Sequence, residues 1–345
     1  MHFKCITKSA AGLIGGLCLA ASAFATATAA DKLTVPVATW GSPSHINIVE
    51  FVGPLEEALK RETDGRITVR HFPAGQLAQD ADMPVAIPTG KVKFGWITIN
   101  GWSGSIPDVK IADAPTGLTM EQMAAATDAE NGIKAILDEQ FKEKGATLLA
   151  VTDIGPAVIV SKKKIVSTED LKGSKIRVYS AGAAEIAQAL GAAPVQLPFA
   201  DVYTAMQRGT IDAAMIGFQG VASQRMYEVA DYLLIPASFL GTGLQGWAAN
   251  LNWWNSLDPN DRKIVAEAIR EAELTARKRI IEDRATLADE YRSKGMTVTS
   301  LEPSMPEYQS WTAAMQPVLE NAKKALSPEI FAPVEKVKAK ASKSQ

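Results

Sequence analysis

Cysteine is all but missing from this chain. Its 345 residues hold two, Cys5 and Cys18, both within the first 30. Past residue 30 no thiol is left for a disulfide, a metal site or a covalent intermediate. Histidine is nearly as scarce: His2 also falls in the first 30 residues, which leaves His45 and His71. The separation of those two matches no metal-ligand spacing. The nearest approach to a G-x-S-x-G nucleophile elbow, Gly101-Trp102-Ser103-Gly104-Ser105, ends in serine where the motif has glycine. Carboxylates are plentiful, yet nothing pairs them into an acid–base site. A hydrolase is therefore the disfavoured alternative, and no metal or cofactor is expected. A surplus of one charge is missing too: 36 Lys and Arg stand against 38 Asp and Glu, a net charge of −2, so no nucleic-acid surface is expected. No stretch after residue 30 approaches the ~18 consecutive apolar residues that a membrane span needs.

The apolar segment that does exist is at the start. Lys4 and Lys8 form a positive end, residues 10–23 are apolar and small, and Ala27-Thr28-Ala29 is an A-x-A cleavage pattern followed by Asp31. Residues 1–30 read as a secretory signal, with cleavage open among Ala27, Ala29 and Ala30, rather than as a structural helix. Cys18 follows Leu17 and not the small residue of a lipoprotein site. Loss of Lys4 and Lys8 takes the net charge from −2 to −4. What remains is long enough for two domains, and with 47% hydrophobic residues it can build a core.

Apolar periodicity alternates between strand and helix along the chain. Residues 33–39 read as a strand that ends in Trp40-Gly41-Ser42-Pro43. Residues 46–62 read as an amphipathic helix with Val49, Val52, Leu55 and Leu59 on one stripe. A strand at 66–71, a short helix at 82–89 weakened by Pro84 and Pro88, and a strand at 92–99 complete a βαβαβ lobe. Residues 121–144 read as one helix. Strands at 146–152 and 157–161 flank Gly155-Pro156 and can cross between lobes, as can the extended run 239–250 that follows a strand at 232–235. From Pro259 to Lys294 there is neither Gly nor further Pro. Asp258 is placed to cap the start and Gly295 to end the run. One helix there would be about 54 Å long, enough to span two lobes; two helices bent near Thr286 are the alternative. A last helix is read at 315–325.

The stretch 171–217 organises the second lobe as strand, helix, strand, helix, strand, which argues for a mainly parallel sheet with ligands at its strand ends. In its first strand Ile176 and Val178 share one face, and Lys175, Arg177 and Tyr179 the other. Periodicity alone makes Arg177 a solvated or salt-bridged cation. The alternative is a clamp that grips a carboxylate through two parallel hydrogen bonds.

Several motifs in this stretch resemble, in order, those of the substrate-binding proteins of TRAP transporters, the DctP-like family of tripartite ATP-independent periplasmic transporters. They are Leu171-Lys172-Gly173 with Lys175-Ile176-Arg177, Ala189-Leu190-Gly191-Ala192, Pro198-Phe199-Ala200-Asp201-Val202-Tyr203, and Gly209-Thr210-Ile211-Asp212. Residues 72–77 (FPAGQL), 254–259 (WNSLDP) and the long helix are similar as well. The resemblance implies an α/β periplasmic binding protein fold of two lobes, with crossing hinge strands and one long helix spanning both. It also implies a receptor that closes on a small organic acid and delivers it to a permease of one four-helix and one many-helix membrane subunit, so the periplasm is the expected location. The expected divisions are residues 1–30 as signal, 31–153 with about 244–275 as the first lobe, 154–243 with about 276–330 as the second, and 331–345 as a flexible basic tail. A monomer is expected, with a dimer through a swapped C-terminal helix as the alternative. A receptor for an ATP-driven importer or a sensor kinase would share the fold.

By resemblance Arg177 is the carboxylate clamp. Thr98 stands where relatives that bind acidic sugars carry an acidic residue, and Trp96 sits two residues before it. Ala157 takes the place of a second arginine and Ile216 that of an asparagine, while Phe199 keeps the family's aromatic. Trp40 lies in a loop where the family contacts ligand, although Trp40 and Trp96 can equally pack in the lobe core, and Tyr179, Gln219 and Gln245 complete the candidate set. These replacements lead to the expectation of a monocarboxylate with an apolar or aromatic body, such as a 2-oxo or aromatic acid, because an apolar wall disfavours a hydroxyl-rich ligand; a sugar acid or other polar carboxylate is the alternative.

Overall fold

The computed structural model describes residues 31–341 except 117, 129, 154–156, 237–238, 242 and 303. The secretory segment and the Gly155-Pro156 break lie outside the described residues. Eleven strands are described among them: β1 (Leu33–Ala38), β2 (Ile67–Phe72), β3 (Phe94–Thr98), β4 (Ala146–Asp153), β5 (Ala157–Ser161), β6 (Lys175–Val178), β7 (Ala193–Gln196), β8 (Ala213–Gly217), β9 (Tyr232–Ile235), β10 (Gln245–Asn250) and β11 (Thr297–Ser300). The α-helices are α1 (Ile46–Thr63), α2 (Met83–Ala86), α3 (Met120–Asp128), α4 (Ile133–Glu143), α5 (Ala181–Ala189), α6 (Val202–Gln207), α7 (Phe218–Ser223), α8 (Leu251–Ser256), α9 (Pro259–Ser293), α10 (Pro306–Ala325) and α11 (Pro328–Ala341).

The strands form two sheets, ordered β2-β1-β3-β10-β4 and β11-β9-β5-β8-β6-β7. In the first, β1 runs parallel to β2 and β3, and β10 runs antiparallel to both β3 and β4. In the second, β5 runs antiparallel to β8 and β9, and the remaining pairs are parallel. Each sheet thus holds one reversed strand, and that strand is entered from the other sheet: β4 leads to β5, and β9 leads to β10. Parallel strands carry their ligands at the carboxyl ends. The ends of β1, β3 and β4 share one edge with the start of β10. The ends of β6, β7, β8 and β9 share one edge with the start of β5. The two crossings join those two edges.

Helices cover both faces of each sheet. The first sheet lies between a core with Phe51, Leu55, Trp96 and Trp247 and a core with Trp102, Leu137 and Phe141. The second lies between a core with Ile176, Ile186 and Trp311 and a core with Val158, Ile216 and Tyr291. Helix α9 belongs to both lobes. Val265, Ile269 and Ala272 enter the first lobe's core, and Tyr291 enters the second's, where its hydroxyl donates to the Phe218 carbonyl at 2.8 Å. The caps read in the sequence hold this helix. Asp258 Oδ1 accepts from the backbone N–H groups of Asn260 and Asp261 at 2.9 and 3.3 Å, and Gly295 ends it at φ 97°. Its 35 residues are continuous through Thr286.

Local expectations fail where packing overrides pattern. Helix α1 buries Ile48, Phe51, Val52, Leu55, Ala58 and Leu59, while Val49 is 48% exposed, because Phe51 turns the buried stripe away from Val49. The helix expected at 121–144 is two, α3 and α4, separated around Asn131, which stands at φ 55°. The helix expected at 82–89 is one α-helical turn after a 3₁₀ turn, and only 245–250 of the run 239–250 is strand. The helix expected at 315–325 starts at Pro306, the N1 position that proline favours. The segment expected as a flexible tail from residue 331 is helical through Ala341. Ile330, Phe331 and Val334 bury against the first lobe, which offsets the basic character of the outer face.

Candidate ligand-binding site

Arg177 stands third in β6, between the strands that flank it. Its exposed-face assignment fails: it is 4% exposed. Nε donates to the Leu197 carbonyl at 3.1 Å, just beyond β7, and Nη1 donates to the Met215 carbonyl of β8 at 3.0 Å. The two bonds pin the fork and leave Nη2 without a protein partner among the described residues. No described acidic side chain forms an ion pair with it. Burial pulls its pKa down to about 10, with Tyr179 acting in the other direction, so the guanidinium stays charged at neutral pH. A buried cation without a counter-ion is a costly arrangement that an incoming anion relieves.

Tyr179 follows on the same strand edge. The Arg177 guanidinium carbon lies 5.9 Å from its ring centroid. The phenol oxygen is buried without a hydrogen-bond partner, and burial, with Asp113 adding to it, pushes its pKa up, so it remains a donor. Gln219 opens α7 on the next strand's edge, and its Nε2 is likewise buried and unpartnered. Phe199 is half-buried ahead of α6. Ile216 is 1% exposed in a core with Val158 and Val202, and Phe199 packs against that same cluster, both side chains lying beside Gly220 of α7. Ala157 is also buried, in the core on the other face of that sheet.

On the first lobe, Trp40 follows β1 and lies flat on Trp96 of β3, with ring centroids 4.2 Å apart and planes within 8°. Trp96 is 0% exposed and packs in the core, with His45 tilted against it at 5.0 Å; Trp40 is half-buried. Both indole N–H groups lack partners. Thr98 ends β3, and its N–H donates to Asp80 Oδ1 at 3.1 Å. Burial pushes the Asp80 carboxyl up, against the hydrogen bonds from Thr98. Gln245 opens β10 opposite Thr98, and its Oε1 accepts from Asn47 Nδ2 at 2.8 Å. Three buried donor groups without partners thus stand on the two facing edges, the Trp40 indole, the Tyr179 phenol and the Gln219 amide, with the unpartnered Trp96 indole deeper, in the middle of β3. Donors so placed suit an acceptor-rich ligand.

Sequence reasoning missed Asp80 and Asp113. Asp113 is 4% exposed. It accepts from Asn100 Nδ2 at 2.9 and 3.1 Å on its own lobe and from Ser180 Oγ, on the second lobe, at 2.9 Å. Burial pushes its carboxyl up to about 6. The one available signal was an acid set in the otherwise apolar run Ile111-Ala112-Asp113-Ala114. A separate groove of about 510 Å³ between α4, β4, α8 and α9 lies toward the opposite edge of the first sheet. Of its four cations, Lys134, Lys142, Arg262 and Arg270, Lys142 is paired with Asp138 and Arg270 with Glu273.

Comparison with known proteins bears on this arrangement. Residues 37–325 match the family model for bacterial extracellular solute-binding proteins, family 7. The 2,3-diketo-L-gulonate-binding periplasmic protein of Escherichia coli K12 is 26% identical over 244 residues, 70% of this chain and 74% of that protein. A TRAP periplasmic solute-binding protein of Ralstonia eutropha H16, solved with bound (S)-2-hydroxy-2-methyl-3-oxobutanoate, shares the fold with a TM-score of 0.80 at 23% identity, covering 89% of this chain and 99% of its own. A sugar acid binding protein of Advenella mimigardefordensis, solved with galactonate, shares it with a TM-score of 0.81 at 18% identity, covering 90% and 99%.

Proposed function

The chain belongs to the family 7 bacterial extracellular solute-binding proteins, and from that premise we propose that it captures a small oxo monocarboxylate between its two lobes. The family consists of periplasmic receptors for small carboxylates and sugar acids, not of enzymes. In this reading residues 1–30 direct export to the periplasm, and the loaded receptor hands its cargo to membrane permease subunits of the TRAP type.

The observation that carries the reading is the buried, uncountered guanidinium of Arg177, held by two carbonyls with Nη2 left for a ligand oxygen. A carboxylate there gains charge-assisted hydrogen bonds and supplies the missing counter-charge. The finer choice of ligand rests on what surrounds it. Trp40, Phe199 and Tyr179 are half-buried aromatics on the facing edges, and the unpartnered groups are donors. A carbonyl beside the carboxylate accepts from such donors. A polyhydroxy chain brings hydroxyl hydrogens that need acceptors, and the carboxylate at this edge, Asp80, already accepts from the Thr98 N–H while burial favours its neutral form. Ligands of the relatives include both kinds: an oxo acid in the R. eutropha receptor and galactonate in the A. mimigardefordensis one.

A thermal-shift screen with 2-oxo, aryl and alkyl monocarboxylates, uronates, aldonates and dicarboxylates tests the choice. A ligand at a hundred times its Kd adds about 2.7 kcal/mol, enough for a shift of a few degrees. Stabilisation is expected first from oxo monocarboxylates. Stronger stabilisation by uronates or aldonates than by every monocarboxylate would overturn the ligand class and keep the clamp. Stabilisation by neutral sugars alone would overturn both.

A further inference from the structure

Asp113 sits where the two lobes touch, and four residues from three parts of the chain converge on it. Asn100, just after β3, holds it from the first lobe, and Ser180, the N-cap of α5, donates to it from the second. Gly182, in the first turn of α5, lies so close that a Cβ there would come within 2.5 Å of Asp113 Oδ2. Gly241, on the crossing from β9 to β10, stands at φ 74°, and a Cβ there would come within 2.8 Å of the Asp113 carbonyl. The second lobe presents bare backbone to the carboxylate and the crossing presents it to the backbone of the same residue, which is how a surface is shaped to close on a group rather than to pack past it.

We propose that Asp113 is a positioning residue for ligand capture, a latch that holds the lobes closed through Ser180 and the bare backbone of Gly182. The proposal rests on the reading of the protein as a receptor that closes on its ligand. Opening removes Ser180 and α5 from Asp113 and leaves it Asn100 and water. Closure therefore moves this carboxyl from water to a buried site. Lys110, from its own lobe, favours the charged form there; Glu185 of α5 opposes it; Tyr179 beside it is neutral.

The sign follows from burial. In the closed state the carboxyl titrates at about 6, above the ordinary range that it has when solvated. Closure takes up a proton as pH falls through that window, so the closed state gains on the open one below about pH 6. From pH 7 to pH 5 the closed-to-open ratio rises about tenfold, and below the ordinary carboxyl range it levels off.

Because the chain has no cysteine past residue 30, nitroxides on Val85→Cys and Gln188→Cys, exposed positions on the two lobes, report lobe separation by pulsed electron resonance without other labels. Three results are expected in the unliganded protein. The closed distance gains about tenfold over the open one from pH 7 to pH 5. Asp113→Asn, which keeps the shape, makes the ratio flat. Gly182→Ala, a favourable helix substitution in itself, shifts the protein to the open distance, because its Cβ meets Asp113 Oδ2. A pH slope that persists in Asp113→Asn, or a Gly182→Ala protein that closes like the wild type, overturns the latch. Failure of every acid in the thermal-shift panel to stabilise the wild type would instead overturn the receptor reading and leave these distances interpretable.

Discussion

Arg177→Ala is expected to weaken binding of the best carboxylate by at least ~2 kcal/mol, roughly thirtyfold in Kd, because the variant removes the charged partner of a buried ion pair. Two features of the site make the loss large. The guanidinium is 4% exposed, so the interaction is little screened by water or salt. Its Nε and Nη1 are committed to the carbonyls of Leu197 and Met215, so the fork does not have to be ordered when the ligand arrives. Arg177→Lys keeps the charge, but a single ammonium cannot hold two carbonyls and present a flat edge as well, and it is expected to lose most of the affinity. Titration calorimetry reads the affinity, and a thermal melt of the unliganded proteins separates it from damage to the fold. An Arg177→Ala protein that melts normally and binds with unchanged Kd would sink the clamp. The charge also fixes an upper pH limit. With its pKa pulled down to about 10 in the empty site, affinity for a carboxylate falls as pH rises through that value.

How much of this was legible in the sequence depends on the range of the interaction. Helix α9 was readable because its signals are local: Asp258 and Pro259 at one end, Gly295 at the other, and nothing between to break it. The parallel strands around Arg177 were readable from the alternation of helix and strand. Burial of Arg177 was not, since the same alternation describes a solvated face, and only the carbonyls of β7 and β8, distant in sequence, take up its N–H groups. Asp113 was invisible for a related reason. Its partners Asn100 and Ser180 lie on different lobes, and no spacing rule links them. The burial of Ile216 and Trp96 was not readable either, because alternation gives the face of a strand residue and not what covers it. Ile216 shares a core with Val158 and Val202, and Trp96 shares one with Phe94 and Trp247 while it stacks on Trp40. The last helix failed for the opposite reason. Its lysines dominate the composition, while three apolar residues, Ile330, Phe331 and Val334, decide its fate.

Arg277→Ala is expected to cost the fold about 3 kcal/mol, from a site that composition would assign to a solvated helix face. β4 is the edge strand of the first sheet, so one side of its backbone has no neighbouring strand. At Val151 that side is met by α9 instead. Glu273, 0% exposed, accepts the Val151 N–H at 2.8 Å, and Arg277 Nε donates to the Val151 carbonyl at 2.5 Å. The two side chains pair with each other at 2.9 Å, Arg270 reaches Glu273 at 2.6 Å, and Asp128 closes the network on Arg277. Two side chains of the long helix thus act as the missing strand, which satisfies backbone groups that burial would otherwise leave open. Removing one partner of a buried pair leaves the other charge uncompensated, commonly a loss of about 3–5 kcal/mol. Arg270 still touches Glu273 and holds the effect toward the lower figure. Denaturant melts of three proteins decide it. Arg277→Ala should lose the most. Arg277→Met with Glu273→Met should recover part of that loss, since the buried charges go together. Glu273→Gln should also be destabilised: it keeps an acceptor for Val151 and gives up the pairing. An Arg277→Ala protein within about 0.5 kcal/mol of the wild type, the range of an ordinary surface substitution, would mean that α9 holds β4 by its apolar stripe alone. The strand these charges hold is the one that leads into the crossing between lobes, so their effect on stability is also an effect on where the hinge begins.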